Sequence, residues 1–215
     1  MTTIRNIAKL GLLTGIFSLS LLTSLAPAAQ GAMPANELAE LKVLIDIARP
    51  AINAAALIPA WKNTATNIAN NLPDTAITVR LLTAKLAEEL PAIEEAIAKI
   101  TPKLEKLREE DRKEVALGEK GVSAVRALKH GISALKDVLA LFKKLAKENG
   151  VLVHLTELSR LLSQVVKDAD KDTKKFITSL YNSLAPMRKN LLAFIPQLET
   201  TLPGIENILD QLFGK

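Results

Sequence analysis

Apolar residues recur at alternating spacings of three and four along most of this chain, and this periodicity limits the fold more than any other feature. One such apolar stripe ends at Ala146, and a second, from Leu152 to Leu180, follows it within a few residues. Such spacings place side chains on one face of an α-helix, and no stretch alternates long enough to predict a strand. The fold class is therefore predicted as all-α. The first stripe consists of Gly118, Gly121, Val125, Leu128, Ile132, Leu135, Leu139, Phe142 and Ala146.

The two stripes are separated only by the short polar segment 148–150. Glycine often ends a helix in the left-handed conformation, so Gly150 is predicted to cap the first helix at its carboxyl end. Two long amphipathic helices joined by so short a turn are expected to be antiparallel neighbours. The sequence thus predicts an elongated helical bundle built on a long antiparallel hairpin of about 102–148 and 151–200, with a bend within 108–121.

Prolines divide the chain into a region of short helices and a region of long ones. Residues 29–73 are predicted as short helices separated by proline, because proline breaks or kinks a helix beyond its first turn. Residues 74–215 are predicted as the long-helix bundle, and the two regions are expected to form one domain. The prolines that separate the short helices are Pro34, Pro50, Pro59 and Pro73.

The long helices contain prolines as well, and here two interpretations stay open. The apolar stripe keeps its phase past Pro91 and Pro102, and a later stripe does so past Pro196 and Pro203. Either each of these helices bends and continues, or each proline begins a new helix.

The amino-terminal residues 1–28 are predicted to be a cleaved signal peptide. Arg5 and Lys9 precede a mostly apolar stretch, and cleavage after Ala28 or after Gly31 fits equally well. An uncleaved anchor is the alternative, but a spanning helix needs about 20 apolar residues and this stretch is shorter. We therefore expect a secreted or periplasmic protein. We expect no transmembrane span in the mature chain, because its longest uncharged runs are about twelve residues.

The composition excludes several kinds of functional site. The chain has no Cys, two His and 3% aromatic residues, which excludes thiolate chemistry and multi-histidine metal centres and argues against a base-stacking surface. In the predicted hairpin, His130 and His154 are about 20 Å apart. The net charge of +5 falls to +3 without the leader, which is too small to indicate nucleic acid.

The carboxylates do not form a recognisable catalytic or metal site. The series Asp168, Asp170 and Asp172 has the spacing of a calcium-loop opening. Thr173 and Ser179 replace the glycine and glutamate that such a loop requires at its sixth and twelfth positions. No phosphate loop, nucleophile elbow or zinc pattern occurs in the sequence. We expect no cofactor, no metal and no enzymatic activity.

Two surface features are candidates for binding. Lys129, Lys136 and Lys143 border the first apolar seam, and Arg126 and Lys147 widen this basic edge. Such lysines suit anionic lipid headgroups, and the alternative is that they form ion pairs with acids of the returning helix. In the hairpin register, for example, Lys129 would pair with Asp170.

The other candidate, Trp61, ends the most apolar uncharged run of the mature chain, 50–61. It is interpreted either as an anchor at a membrane interface or a partner's pocket, or as a core residue that fills one end of the bundle.

Over residues 74–215 the pattern of proline-punctuated amphipathic helices, with few aromatic residues and no Cys, resembles the exchangeable apolipoproteins and their insect lipid-carrying counterparts. The resemblance is one of pattern, without a specific motif, and it implies a helical bundle that opens to cover lipid.

Two hypotheses for function follow. The first is a non-catalytic protein that acts through protein–protein contacts or self-association, as a structural or adhesin-like module. The alternative is an amphipathic protein that binds lipid or membranes, including an apolipoprotein-like carrier or a helical pore-former.

Overall fold

Six α-helices account for nearly all of the chain that the computed structural model describes, which comprises residues 35–71, 77–117, 122–166 and 170–213. No strand occurs within these ranges, so the predicted all-α bundle is confirmed. The predicted signal peptide lies outside the described residues. The helices are α1 (Ala35–Ala55), α2 (Ile58–Asn70), α3 (Ile77–Leu117), α4 (Val122–Ala146), α5 (Val151–Val165) and α6 (Lys171–Phe213).

Most of the prolines do not end a helix. Pro91 and Pro102 lie inside α3, and α6 likewise continues through its interior prolines, Pro186, Pro196 and Pro203. Pro50 lies inside α1, so the two short helices predicted on either side of it are one helix. An interior proline costs roughly 3 kcal/mol. A long apolar stripe buried on both sides of the proline offsets this cost.

The long helices α3 and α4 are antiparallel. Lys99 Nζ on α3 lies 2.8 Å from Asp137 Oδ1 on α4, and Lys103 Nζ lies 3.0 Å from Ser133 Oγ. Residue numbers rise along α3 where they fall along α4, so the two helices run in opposite directions.

α4 is also antiparallel to α6, on its other side. Two ion pairs join these helices, Lys136 with Glu206 and Lys143 with Glu199. α3 and α6 are not a packed pair, although α4 packs extensively against both. α4 therefore lies between them.

α5 continues in the direction of α4. Glu89, ten residues before Lys99 on α3, contacts His154 on α5. On α6, Tyr181 lies near Arg160 of α5. Both α3 and α6 thus run past α4 and on along α5 without a change of direction.

The predicted hairpin of 102–148 with 151–200 is therefore not confirmed. α4 and α5 contact each other little, whereas each packs extensively against α3 and α6. The segment 147–150 displaces the helix axis without reversing the chain. Three residues between α4 and α5 are exposed and polar: Lys147, Glu148 and Asn149. They cannot continue an apolar seam from one helix to the other. The apolar stripes of α4 and α5 are buried against α3 and α6 instead.

Gly150 has a different role from the predicted left-handed cap. It precedes α5 with φ −107° and ψ 179°, which is an extended conformation open to any residue. A Cβ atom at this position would lie 2.9 Å from the carbonyl oxygen of Lys144. Glycine is therefore required by the close approach of the α4 backbone.

The six helices make up four arms, which we define as α1–α2, α3, α4–α5 and α6. The α1–α2 arm packs along the α4–α5 arm, α1 on α4 and α2 on α5, so these two arms are parallel. Leu41 on α1 fills the space beside Gly131 on α4. The four arms alternate in direction along the chain, as in an up-down-up-down bundle.

One continuous hydrophobic core extends along the bundle and includes residues from all six helices. Its largest fully buried side chains include Phe142, Leu41, Ile58, Leu86, Ile100, Leu128 and Leu152. Phe142 on α4 and Phe194 on α6 are in ring contact, with centroids 6.2 Å apart. The stripes seen in the sequence form the interior of this core.

Candidate functional site

The predicted basic edge on α4 faces α6 and is partly neutralised there. The Nζ atoms of Lys136 and Lys143 lie 2.5 and 2.6 Å from Oε1 of Glu206 and Glu199. Two of the three lysines therefore form ion pairs, but with acids of α6 and not with a helix that returns directly after α4. The specific pairing of Lys129 with Asp170 does not form, because Asp170 precedes α6 at the far end of that helix.

The remaining members of the basic edge are exposed. Arg126 and Lys129 lie near the start of α4, and Lys147 lies just after its end. More than twenty residues separate Arg126 from Lys147, so these three cations do not form one compact surface.

A second ionic cluster joins α3 to α4 on the opposite side. The Asp137 carboxylate accepts hydrogen bonds from Lys99 at 2.8 Å and from Lys103 at 2.5 Å. Burial raises the pKa of this carboxyl, but the hydrogen bonds from Lys103 and Lys99 outweigh burial and bring the pKa below its ordinary value. The cluster is a half-buried structural tie between the two helices.

The two histidines are far apart. They lie on α4 and α5, which run in the same direction, so His130 and His154 are separated by about 35 Å. This exceeds the expected 20 Å because that value assumed a reversal at Gly150. His154 Nδ1 lies 3.3 Å from Glu89 Oε2, and its side chain is only 11% exposed. Within the described ranges no three potential ligands are grouped to hold a metal.

Trp61 belongs to the core. It lies on α2 with 8% of its surface exposed, among the buried residues that α2 contributes to the interior. In this conformation its ring has little surface for a membrane or a partner.

Asp170 caps a helix. Its carboxylate accepts hydrogen bonds from the amide of Asp172 at 3.0 Å and from the amide and hydroxyl of Thr173 at 2.9 and 2.6 Å. The hydrogen bond from the Thr173 hydroxyl, followed by that from its amide, lowers the pKa of the Asp170 carboxyl. This arrangement satisfies the amino-terminal amides of α6, as expected for an N-cap aspartate.

A surface that the sequence analysis did not identify lies at one end of the bundle. Of the six large apolar side chains exposed in the described chain, four lie at the end where α3 begins, α5 ends and α6 begins. Ile77 is 77% exposed and Leu81 is 59% exposed. The other two are Val165 and Tyr181.

Exposed cations lie at the same end of the bundle. Arg80 lies on the first turn of α3, and Lys171, Lys174 and Lys175 lie on the first turns of α6. The described carboxylates at this end are Asp170, used as a cap, and Asp172. We call the surface formed by the following eight residues the apolar-basic end: Ile77, Arg80, Leu81, Val165, Lys171, Lys174, Lys175 and Tyr181.

The sequence contains a signal for the α3 part of this surface only. The buried stripe of α3 includes Leu82, Leu86 and Leu90, and Ile77 and Leu81 lie off it. Apolar residues outside the buried stripe of an amphipathic helix have no place in the core. Only the assembled fold shows that those of α3, α5 and α6 lie at the same end of the bundle.

One stretch of the described chain, Ala39–Asn70, is long and apolar enough to cross a membrane by length and composition. It corresponds to the α1–α2 arm, and 33% of its most apolar window is buried. The search of the sequence for uncharged runs did not detect this stretch. The criterion of length and composition does, because it allows up to two charged residues. A core helix passes the same test, and Leu41, Ile45 and Ile52 are core residues.

No protein-family model, curated protein or solved structure matches this chain.

Proposed function

We propose that this protein is a non-catalytic helical bundle that binds anionic membrane surfaces through its apolar-basic end. The observation that carries the proposal is the concentration of exposed large apolar side chains at this end, among exposed lysines. Of the two functions considered from the sequence, this is the lipid-binding alternative, with a different surface from the lysine edge of α4.

The dimensions of this end suit shallow insertion. Ile77 and Leu81 are one helical turn apart, so they span about 6 Å along α3. Peripheral membrane proteins bury apolar groups about 5–10 Å into the headgroup region. Tyr181 lies about 15 Å from the start of α6, where an amphipathic ring suits the outer interface.

The charges of this end favour an anionic surface. Each lysine close to such a membrane contributes about 1 kcal/mol of attraction. Lys171, Lys174 and Lys175 together therefore correspond to roughly a hundredfold in affinity at low salt. The lysines Lys136 and Lys143 contribute less, because Glu206 and Glu199 neutralise them.

Flotation with lipid vesicles tests the proposal. The probes are phosphatidylcholine vesicles with and without one part in three of phosphatidylglycerol. We expect the wild-type chain to float with the anionic vesicles only, and added salt to weaken this binding. The variants Ile77→Ser/Leu81→Ser and Lys171→Gln/Lys174→Gln/Lys175→Gln are each expected to reduce binding at least about tenfold.

The matched controls carry the same changes elsewhere. Val43→Ser/Leu192→Ser alters two exposed apolar residues away from this end, and Lys129→Gln/Lys136→Gln/Lys143→Gln alters three exposed lysines of α4. Both are expected to bind as the wild type does. Absence of flotation with anionic vesicles, or equal losses in the controls and the end variants, would rule the proposal out.

Protein–protein contact, the other function considered from the sequence, stays a second proposal. The same variants test it through their effect on binding to a protein partner. Two copies meeting through this end would bring like charges together, which favours an acidic partner over self-association. Export of the chain is proposed on the strength of residues 1–28 alone.

A further inference from the structure

Two arms of the bundle are interrupted at the same level. The α1–α2 arm is interrupted at Ala56 and Leu57, and the α4–α5 arm at 147–150. These arms are parallel, and Leu41 lies opposite Gly131. Counting along both helices from this contact places Ala56 and Leu57 beside the 147–150 segment, since both rise about 1.5 Å per residue.

The third arm, α3, has a proline at this level. Asp137 and His154, which lie before and after the interruption at 147–150, contact Lys99 and Glu89 of α3. The part of α3 beside the interruption therefore lies between residues 89 and 99. It contains Pro91, near its Glu89 end.

The fourth arm, α6, also has a proline near this level. Lys143 pairs with Glu199, and the chain direction is opposite, so the residues beside 147–150 are about four to seven positions before Glu199. Pro196 is adjacent to this stretch. Each of the four arms thus has an interruption or a proline within about one helical turn of a single transverse level.

This alignment has a mechanical consequence. Proline has no amide hydrogen, so the carbonyls of Ala87 on α3 and Leu192 on α6 lack their usual helical partner. In a bundle, one uninterrupted helix would resist bending of the other three. At this level none of the four arms has an intact ladder of hydrogen bonds.

We infer that the bundle bends at this level as a hinge between two halves. One half contains α2, α5, the part of α3 before Pro91 and the part of α6 before Pro196, and it carries the apolar-basic end. The other half contains α1, α4 and the remainders of α3 and α6. The inference rests on the alignment of the four arms and does not depend on membrane binding.

Distances between paired spin labels test the hinge, and a chain without Cys allows labels at chosen positions. One pair, Ala84→Cys/Ala98→Cys, places labels 14 residues apart on exposed positions of α3 across Pro91. The reference pair, Lys175→Cys/Lys189→Cys, has the same separation on exposed positions of α6 within one half. We expect a broader distance distribution for the first pair.

The decisive variants change α6 while the labels stay on α3. Pro196→Ala restores a hydrogen bond at the hinge level and is expected to narrow the Ala84–Ala98 distribution, although α3 and α6 are not a packed pair. Pro186→Ala is the control, because the α1–α2 and α4–α5 arms are continuous helices at its level, and it is expected to leave the distribution unchanged. Both changes remove an interior helical proline, so both variants are expected to fold.

Two results would overturn the inference. Equal widths for the Ala84–Ala98 and Lys175–Lys189 pairs would show that this level bends no more than the rest. Narrowing by Pro91→Ala but not by Pro196→Ala would show a local kink in α3 instead of a hinge through the bundle.

Discussion

Lys143 on α4 and Glu199 on α6 form an ion pair with an Nζ–Oε1 distance of 2.6 Å, and Lys136 and Glu206 repeat the contact seven residues away on both helices. The repeat fixes α6 as the antiparallel neighbour of α4. It also turns two lysines that border the apolar seam toward a neighbouring helix.

The first prediction concerns this ion pair. Because both side chains are about half exposed, Lys143→Glu is expected to lower the free energy of unfolding by about 1 kcal/mol or less. The exchanged variant Lys143→Glu/Glu199→Lys is expected to recover most of the loss. Urea unfolding followed by circular dichroism at low salt measures both. A double variant no more stable than Lys143→Glu would contradict the predicted pairing.

The second prediction concerns Asp137 and pH. Hydrogen bonds from Lys103 and Lys99 hold its folded-state pKa below the ordinary value of 3.8 despite partial burial. The deprotonated carboxylate therefore stabilises the fold above about pH 4, and this contribution is lost as the pH falls through the lower folded-state pKa.

The corresponding variant is Asp137→Asn, which is expected to be about 1 kcal/mol less stable than the wild type at pH 7. The difference is expected to shrink below pH 4. Urea unfolding at several pH values measures it, and a difference that stays constant down to pH 2 would show that the ionised carboxylate is not responsible.

The third prediction concerns the packing of Phe142 against Phe194. Phe142 is fully buried, and its removal in Phe142→Ala is expected to cost about 3–5 kcal/mol. Leu192→Ala, at an exposed position two residues before Phe194, is the control and is expected to change stability by less than about 0.5 kcal/mol. Similar losses in thermal or urea unfolding would place Phe142 outside the core.

The fourth prediction compares two helical glycines. A Cβ atom at Gly131 would clash with Cδ2 of buried Leu41, whereas one at Gly204 has no neighbour within 4 Å. Gly204→Ala is expected to stabilise the protein by about 0.5–1 kcal/mol, because alanine favours the helix. Gly131→Ala is expected to destabilise it by about 1–2 kcal/mol, since Leu41 must leave its packed position.

Thermal unfolding of the two glycine variants provides the measurement. The double variant Gly131→Ala/Leu41→Ala tests whether the clash with Leu41 causes the loss. With Leu41 already replaced by alanine, Gly131→Ala is expected no longer to destabilise the protein. Equal stabilisation by Gly131→Ala and Gly204→Ala would show that α1 does not pack against α4 as described.

The interior of the bundle could be predicted from the sequence to a large extent. Leu86, Leu90, Ile93 and Ile100 of the predicted α3 stripe are buried, and so are Phe194 and its neighbours on the α6 stripe. The stripes hold their phase past the prolines because each helix continues through them. Helical periodicity is local, so the chain itself shows which side chains share a face.

The apolar-basic end was beyond such prediction. Ile77 and Leu81 are recognisable as apolar residues off their stripe, but Val165 and Tyr181 belong to other helices. Their placement at one end of the bundle depends on the register between α3, α5 and α6, which no local pattern encodes.

The sequence by itself determined the helices of this protein and the faces that they bury, because spacings of three and four act within a few residues of chain. Only the tertiary structure decided the partners and directions of those helices. An apolar stripe packs equally well against any complementary stripe, so the turn at Gly150 suited a reversal as well as a continuation. The ion pairs of α4 with α3 and α6 join residues far apart in the chain. They form in the arrangement in which α5 continues in the direction of α4.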